Sequence, residues 1–161
     1  MSDPILSQNP APAPHGADDP RLALARGFIE SLPHCQALNM QLVGLAPGEA
    51  WLSLPYAEHL VGNPATGVIH GGAVSTLLDT ASGTAVMCHP AGPISAATLN
   101  LRIDYMRPAT PQQMIRAHAI CHHVTRSIAF VRVTAYDDDA TRPVAAGTGV
   151  FTITLPKGAK P

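Results

Sequence analysis

The chain has 161 residues, of which 46% are hydrophobic and 13% are charged, and its formal net charge is −1. This length suits one domain with a single core. The Lys and Arg residues are scattered, and without a basic stripe to neutralise phosphates the sequence argues against nucleic-acid binding. About a quarter of the residues of a typical domain are charged, so the shortage of charge suggests that part of the surface is buried against a second copy of the chain.

Cysteine usage and the N-terminal residues bear on location. The cysteines, Cys35, Cys88 and Cys121, form no CxxC pair, which favours a reducing compartment. Residues 1–19 are rich in Pro, Ala and Asp; they lack the regions of a signal peptide, and we expect a disordered tail there. No apolar run approaches the ~20 residues needed to span a membrane. These features predict a cytoplasmic protein that makes no membrane contact.

The first half of the folded part contains two predicted helices. Asp19-Pro20 reads as an N-cap followed by proline at the first helical position, and the helix is expected to end at Pro33. A β-hairpin is predicted within residues 40–54, and the Gly- and Pro-rich residues 58–70 are predicted to form a loop. Residues 71–88 form the clearest helix, because its apolar residues recur at helical spacing. That apolar stripe consists of Ala73, Val74, Leu77, Leu78, Ala81 and Ala85.

Four strands are predicted after the second helix, at residues 95–107, 113–123, 127–136 and 143–155. In the first of them Leu99, Leu101, Ile103 and Tyr105 alternate with polar residues, so these four are expected on one face. A single long helix among six strands suits a helix lying across one antiparallel sheet, which predicts the α+β class. We therefore expect one domain over residues 20–155 and a flexible C-terminus at 156–161.

Two glycines, Gly71 and Gly72, stand at the start of the long helix. The first amides of a helix have no intrahelical partner, and the helix dipole favours negative charge beside them. With no side chain in the way, a ligand oxygen can approach closely, as an oxyanion hole requires. The other interpretation is that the glycines only permit a sharp turn from loop to helix.

Asp79 lies in the middle of the same helix, where Asp has poor intrinsic propensity. Its neighbours at helical spacing include Ser75, Thr76 and Ser82, which are all small. A small-residue face around a carboxylate suits a cleft that admits substrate and water, and the carboxylate can then act as a general base or a nucleophile. Alternatively, Asp79 is bonded to a neighbouring loop.

The spacing between these features has a consequence for assembly. Gly71 and Asp79 are eight residues apart in the sequence, which is about 12 Å along one helix. One carbonyl carbon cannot contact both groups of the same chain. If both serve one reaction, they come from two subunits whose long helices run antiparallel, and a two-fold dimer with two active sites is expected.

The segment HGGAVSTLLDTASG, together with the later LNLRIDYMRPAT, resembles the phenylacetic-acid-degradation (PaaI) type of hotdog-fold thioesterases. The resemblance covers about residues 20–154. It implies a long helix wrapped by an antiparallel sheet, homodimers that often pair into tetramers, and hydrolysis of an acyl-coenzyme A to a carboxylic acid and free coenzyme A. It implies no cofactor, because coenzyme A is part of the substrate.

The resemblance also implies roles for individual residues. The Gly71 amide would bind the thioester carbonyl and Asp79 of the opposing subunit would activate water or attack the carbonyl. His70 would help to fix the loop and the substrate, and Thr98 would lie near the catalytic water. Asn63 lies where the family often has a polar residue before the His-Gly-Gly motif.

The substrate-binding residues are expected to be Gly72 and the small residues beside Asp79, namely Ser75, Thr76 and Ser82. Arg107 is a further candidate, with Arg102 and Arg126, for contact with coenzyme A phosphates; ordinary charge at the sheet edge is the alternative. His118 and His122 share a strand face, but no third ligand stands at a recognisable spacing, so no metal site is predicted.

Two other functions are weighed against thioester hydrolysis. A hotdog hydratase or dehydratase would resemble relatives with the pattern D-x-N-x-x-H, which is absent from this sequence. A non-catalytic protein that binds acyl-coenzyme A as a sensor would need an output element, and the residues before position 20 are too few and too rich in proline to form a DNA-binding one.

Overall fold

A computed structural model describes residues 20–158 of the chain. The tail predicted at residues 1–19, with the Asp19 cap, lies outside the described residues, and so do residues 159–161. In chain order the elements are α1 (Pro20–Ser31), α2 (Pro33–Ala37), β1 (Gln41–Ala46), β2 (Glu49–Leu54), a 3-10 turn (Glu58–Leu60), β3 (Val61–Asn63), β4 (Val68–Ile69), α3 (Gly71–Met87), β5 (Ser95–Tyr105), β6 (Ile115–Val124), β7 (Ile128–Tyr136) and β8 (Ala145–Thr154).

Six of the strands form one antiparallel sheet in the order β1-β2-β6-β7-β8-β5, and α3 packs against one of its faces. The apolar stripe predicted for α3 is buried, and together with the inner side chains of the strands it forms the core. Burial of this stripe stabilises the helix far more than its intrinsic propensity does. The α+β architecture predicted from the sequence is confirmed.

Local differences from the predicted elements have simple causes. Pro33 ends α1 as predicted, but it also occupies the first position of α2, where a proline needs no N–H partner. The predicted loop at residues 58–70 contains the 3-10 turn and the two-stranded hairpin of β3 and β4. These elements have two or three residues each, too few for a periodic pattern to be visible in the sequence.

A β-bulge at Leu99 changes the face on which several β5 side chains lie. Thr98 pairs with Phe151 and Asn100 with Val150, so Leu99 is the extra residue of β5. Leu99 is consequently 59% exposed, and its predicted place on the apolar face is wrong. The bulge shifts the alternation by one residue, and Thr98 therefore lies on the same face as Leu101, towards α3.

No helix in the described part of the chain is both long and apolar enough to cross a membrane.

Candidate active site

The N-terminus of α3 is capped by a histidine side chain. His70 is the N-cap residue, and its Nδ1 accepts a hydrogen bond of 2.9 Å from the Gly72 N–H. Because Nδ1 accepts, the proton of a neutral imidazole lies on Nε2. A Cβ on residue 72 would stand 2.8 Å from this Nδ1, so the cap itself requires glycine there.

The hairpin before α3 holds His70 in place. The His70 N–H donates to the Leu60 carbonyl at 2.8 Å, which joins the helix start to the end of the 3-10 turn. Gly62 lies directly against His70, and a Cβ at residue 62 would be only 2.7 Å from the His70 Cα. Only glycine permits this close approach, and the short strands β3 and β4 thus position the cap.

One amide at the helix start is left without a partner. The Gly72 N–H is bonded to the His70 ring, and the Ala73 N–H donates to the His70 carbonyl at 3.0 Å. The Gly71 N–H has no acceptor among residues 20–158. It lies at the positive end of the helix dipole, where a developing negative charge is stabilised.

The carbonyl of Gly71 is held by side chains from two elements. The Tyr105 Oη, at the end of β5, lies 2.7 Å from the Gly71 carbonyl oxygen and 2.7 Å from the Ser75 Oγ. The Ser75 Oγ also lies 3.1 Å from the same carbonyl. Ser75 was expected near the site from the sequence, whereas Tyr105 was expected on the apolar face of its strand, in the core or lining an acyl pocket, and not as a hydrogen-bond partner of Gly71. The place of Tyr105 as the last inward residue before Arg-Pro was the available signal.

Asp79 and Thr98 are brought together, as the resemblance implied. The Thr98 Oγ1 donates to the Asp79 Oδ1 at 2.9 Å. Asp79 is partly exposed on α3, and its Oδ2 receives no hydrogen bond from the described part of the chain. The carboxylate is thus oriented through one oxygen, while the other is available to a water molecule or a substrate.

Asn63, Thr76 and Ser82 are engaged elsewhere or buried. The Asn63 Oδ1 accepts from the Ala65 N–H at 3.1 Å and stabilises the turn between β3 and β4. The Thr76 Oγ1 donates to the Gly72 carbonyl at 3.0 Å. Ser82 is fully buried, and its hydroxyl has no partner within the described residues. The expected role of Ser82 in binding substrate is therefore corrected, because its side chain is fully buried in the core and presents no surface to a substrate.

Arg107 does not fulfil the expected role in binding phosphates. Its guanidinium makes a bidentate pair with Asp137, at 2.7 and 2.6 Å, and its remaining N–H groups donate to the carbonyls of Pro108 and Arg142. An arginine side chain has five N–H donors, and all five are used. Arg107 fixes the segment after β5 to the end of β7. The sequence-based expectation that it contacts coenzyme A phosphates is therefore corrected, because no donor of its guanidinium is left for a phosphate.

Burial and hydrogen bonding also determine the charge of this pair. Asp137 is fully buried at its side chain. The Arg107 guanidinium, with the Thr110 N–H and hydroxyl, holds the pKa of the Asp137 carboxyl well below its usual range, despite the opposing effect of burial.

The buried thiols are poor candidates for a nucleophile. Burial raises the pKa of the Cys121 thiol to about 11 and raises the pKa of the Cys35 thiol above its ordinary value. Because the thiolate is the reactive form, these two cysteines are largely inert near neutral pH. Asp79, which is partly exposed in the middle of α3, is the better base or nucleophile.

The histidines of β6 take part in other contacts. The His118 Nε2 lies 2.7 Å from the Glu49 Oε2, and its ring stacks on Trp51. His122 is exposed on the same strand and is the extra residue of a bulge between Cys121 and His123. Within residues 20–158, no three His, Cys, Asp or Glu side chains are arranged to hold a metal ion.

The chain is similar in sequence to known thioesterases and to one relative named as an esterase. The model of the thioesterase superfamily matches residues 66–144. A Halobacterium salinarum protein that bears the provisional name of an esterase is 32% identical over 143 residues, covering 85% of this chain and 94% of that protein. The medium/long-chain acyl-CoA thioesterase YigI of Escherichia coli is 24% identical over 141 residues, covering 78% of this chain and 88% of YigI.

Solved structures extend the comparison to the fold. The phenylacetic acid degradation protein PaaI from Thermus thermophilus, solved as a mutant, superposes with a TM-score of 0.66 at 28% identity. The match covers 76% of this chain and 99% of the PaaI chain. The hotdog fold and the PaaI-like character expected from the sequence are thereby confirmed.

Proposed function

Because the chain belongs to the thioesterase superfamily, we propose that it hydrolyses acyl-coenzyme A thioesters to a carboxylic acid and free coenzyme A. The observation that carries this proposal is the pair of complementary groups on α3. Asp79 is oriented by Thr98 at one place, and the unpaired Gly71 amide stands at the other. The name of YigI, a similar protein, supports an acyl-coenzyme A as the substrate class.

The proposed site lies between two protomers. Gly71 and Asp79 are about 12 Å apart along α3, so one thioester cannot reach both within a single chain. When two α3 helices run antiparallel about a two-fold axis, Asp79 of one protomer stands beside Gly71 of the partner subunit. A homodimer then has two equivalent sites, and pairing of two dimers into a tetramer remains part of the proposal.

The surface of β5 supports this assembly. It is an edge strand of 11 residues that pairs only with β8 in the described sheet. A long, unprotected edge is unusual in a monomer, because it exposes unpaired backbone groups. Large apolar side chains are also exposed on or next to it, namely Ile94, Leu99, Tyr105 and Met106. A second copy that adds its own β5 to this edge would cover both features.

The proposed reaction begins when the thioester carbonyl oxygen accepts a hydrogen bond from the Gly71 N–H. Asp79 removes a proton from a water molecule, which attacks the carbonyl carbon, and the resulting oxyanion is stabilised by that amide and the helix dipole. The intermediate then collapses, the C–S bond breaks, and the proton held by Asp79 passes to the departing thiolate. In the other route, the carboxylate itself attacks the carbonyl carbon, the C–S bond breaks, and the departing thiolate takes a proton from solvent. Water then hydrolyses the mixed anhydride, which releases the carboxylic acid and restores Asp79.

Release of free thiol from a panel of aromatic, medium-chain and long-chain acyl-coenzyme A substrates tests this function. We expect wild-type protein to turn over at least one of them and Asp79→Asn to lower kcat by roughly 1000-fold, because the amide cannot act as a base or nucleophile. Asp104→Asn, on the outer face of β5, is the control and should retain its activity. Substrate binding without turnover would instead indicate a sensor, and equal turnover by Asp79→Asn would remove Asp79 from the mechanism.

A further inference from the structure

Tyr105 makes a short chain of hydrogen bonds that ends on the Gly71 carbonyl. Its Oη, the Ser75 Oγ and the Gly71 oxygen lie within 2.7 to 3.1 Å of one another. Each hydroxyl has only one proton to donate. Either Ser75 donates to Tyr105 and Tyr105 donates to the carbonyl, or the order of the two hydroxyls is reversed. In both arrangements, the two hydroxyls together restrain the Gly71 carbonyl.

The same peptide group is restrained at its other end. The carbonyl of Gly71 and the N–H of Gly72 belong to one planar peptide unit. The N–H of that unit donates to the His70 Nδ1 at 2.9 Å, while its carbonyl faces the Tyr105 hydroxyl. This peptide is the first within α3, and two successive glycines give the backbone there more conformational freedom than other residues would. Tyr105 and His70 therefore restrain this peptide at its two ends, and we call these two contacts the clamp.

The clamp determines where the proposed oxyanion donor points. The Gly71 N–H belongs to the preceding peptide, whose carbonyl is bonded to the Ala73 N–H. With the peptides on both sides of the Gly71 Cα restrained, the direction of its free N–H is set before a substrate arrives. Preorganised donors stabilise a transition state without reorganisation at the moment of reaction, and small misplacements of such groups are costly.

From this geometry we infer that Tyr105 is a positioning residue, which acts through Gly71 on the oxyanion hole. The inference rests on the proposed function, in which the Gly71 amide binds the thioester carbonyl. The Tyr105 ring also packs beside the Gly71 Cα, since a Cβ on residue 71 would lie 3.5 Å from the Tyr105 Cζ and Oη. Because Tyr105→Phe removes only the hydroxyl and keeps the ring, the substitution should leave both the fold and the proposed dimer surface intact.

The test compares Tyr105→Phe with wild type in both kinetics and amide exchange. We expect kcat to fall roughly tenfold with KM within about twofold, a smaller loss than the ~100-fold or more that removal of a donor costs. Hydrogen exchange at the Gly72 amide, followed by NMR, should be faster by roughly fivefold, since one hydrogen bond of the clamp is lost. The melting temperature should stay within a few degrees of the wild-type value.

Tyr56→Phe is the matched control, because the Tyr56 hydroxyl also donates to a glycine carbonyl, that of Gly67, at 3.0 Å. It should leave kcat and Gly72 exchange at wild-type values. Unchanged kcat in Tyr105→Phe, while Asp79→Asn is inactive, would overturn the positioning role and leave the proposed function standing. A higher KM at unchanged kcat would make the phenol a substrate contact and also overturn it. If wild type hydrolyses no acyl-coenzyme A, the proposed function fails, and unchanged Gly72 exchange in Tyr105→Phe would then refute the clamp itself.

Discussion

At the scale of residues, the proposed chemistry depends on one amide at the start of α3 that has no acceptor among residues 20–158. His70 occupies two of the first three N–H groups, one with its ring and one with its carbonyl. The Gly71 N–H is therefore the single donor of this turn that a thioester can use. Because backbone groups cannot be deleted by ordinary substitutions, the test needs a residue without an N–H.

Proline at residue 71 provides that test. Pro is well tolerated at the first position of a helix, and His70 already has the extended backbone that a residue before proline requires. We expect Gly71→Pro to lower kcat by roughly 100-fold or more, because it removes the oxyanion donor. The kinetics are measured with the preferred acyl-coenzyme A.

Gly71→Ala is the control for this substitution, since it adds a Cβ but keeps the N–H. That Cβ would have only ordinary contacts with Tyr105, so folding should be unaffected, and kcat should fall much less than in Gly71→Pro because the N–H is kept. Equal losses in the two variants would mean that space at residue 71, and not its N–H, is what the reaction needs.

Single residues differed in how well the sequence predicted them. Asp79 and Thr98 were both identified, the first from an unusual residue in a helix and the second from the resemblance, and their side chains are in contact. The use of all Arg107 donors by Asp137 and two carbonyls was not predictable, because the main partners, Asp137 and Arg142, lie 30 or more positions away in the chain. The hydrogen bond from Tyr105 to Gly71 was not predicted for the same reason, because the two residues are 34 positions apart.

At the scale of elements, the bulge in β5 connects the strand to the site. A regular strand would alternate without interruption, and Thr98 would then lie on the opposite face from Leu101 and Tyr105. The extra residue at Leu99 brings all three to the α3 side. Periodicity alone therefore predicted the strand but assigned Leu99 to the wrong face, since a bulge leaves no reliable mark in the sequence.

A second feature at this scale is the joint between β5 and β7. The Arg107–Asp137 pair fixes the segment that follows Tyr105, and its carboxylate is buried. We expect Asp137→Asn to lower the free energy of unfolding by about 3 kcal/mol at pH 7, because it leaves a guanidinium without its counter-charge. The exposed pair of Arg116 and Asp138 is the control, and Asp138→Asn should cost less than about 1 kcal/mol.

The pH dependence of this joint follows from the depressed pKa of Asp137. A carboxylate whose pKa is lower in the folded state contributes stability above its unfolded pKa, and the contribution is lost as the pH falls through the folded value. The difference between wild type and Asp137→Asn in denaturant unfolding should be constant above about pH 5 and shrink below about pH 4. If the difference in unfolding free energy between wild type and Asp137→Asn were undiminished at about pH 2, the stabilising role of the ionised Asp137 would be contradicted.

At the scale of the whole molecule, the proposed active site requires two copies of the chain. The low share of charged residues first suggested a buried surface, and the exposed edge of β5 is the surface that we propose is buried. The architecture of one helix on an antiparallel sheet was predictable from hydrophobic patterns, because α3 and the long strands are strongly periodic. The antiparallel position of the proposed partner is inferred from the spacing of Gly71 and Asp79 and stays a prediction. The cytoplasmic location stays a prediction from the sequence.

Mixed dimers of two inactive variants test whether each active site is shared between two protomers. Asp79→Asn and Gly71→Pro chains, carrying different tags, are co-expressed in equal amounts and assayed for thiol release beside each variant alone. In a dimer with one chain of each kind, one site combines the intact Asp79 of one protomer with the intact Gly71 of the other. Random pairing makes half of the dimers mixed, each with one working site of two, so we predict about a quarter of the wild-type activity from the two-fold symmetry. Activity that stays at the level of the separate variants would contradict a site shared between protomers.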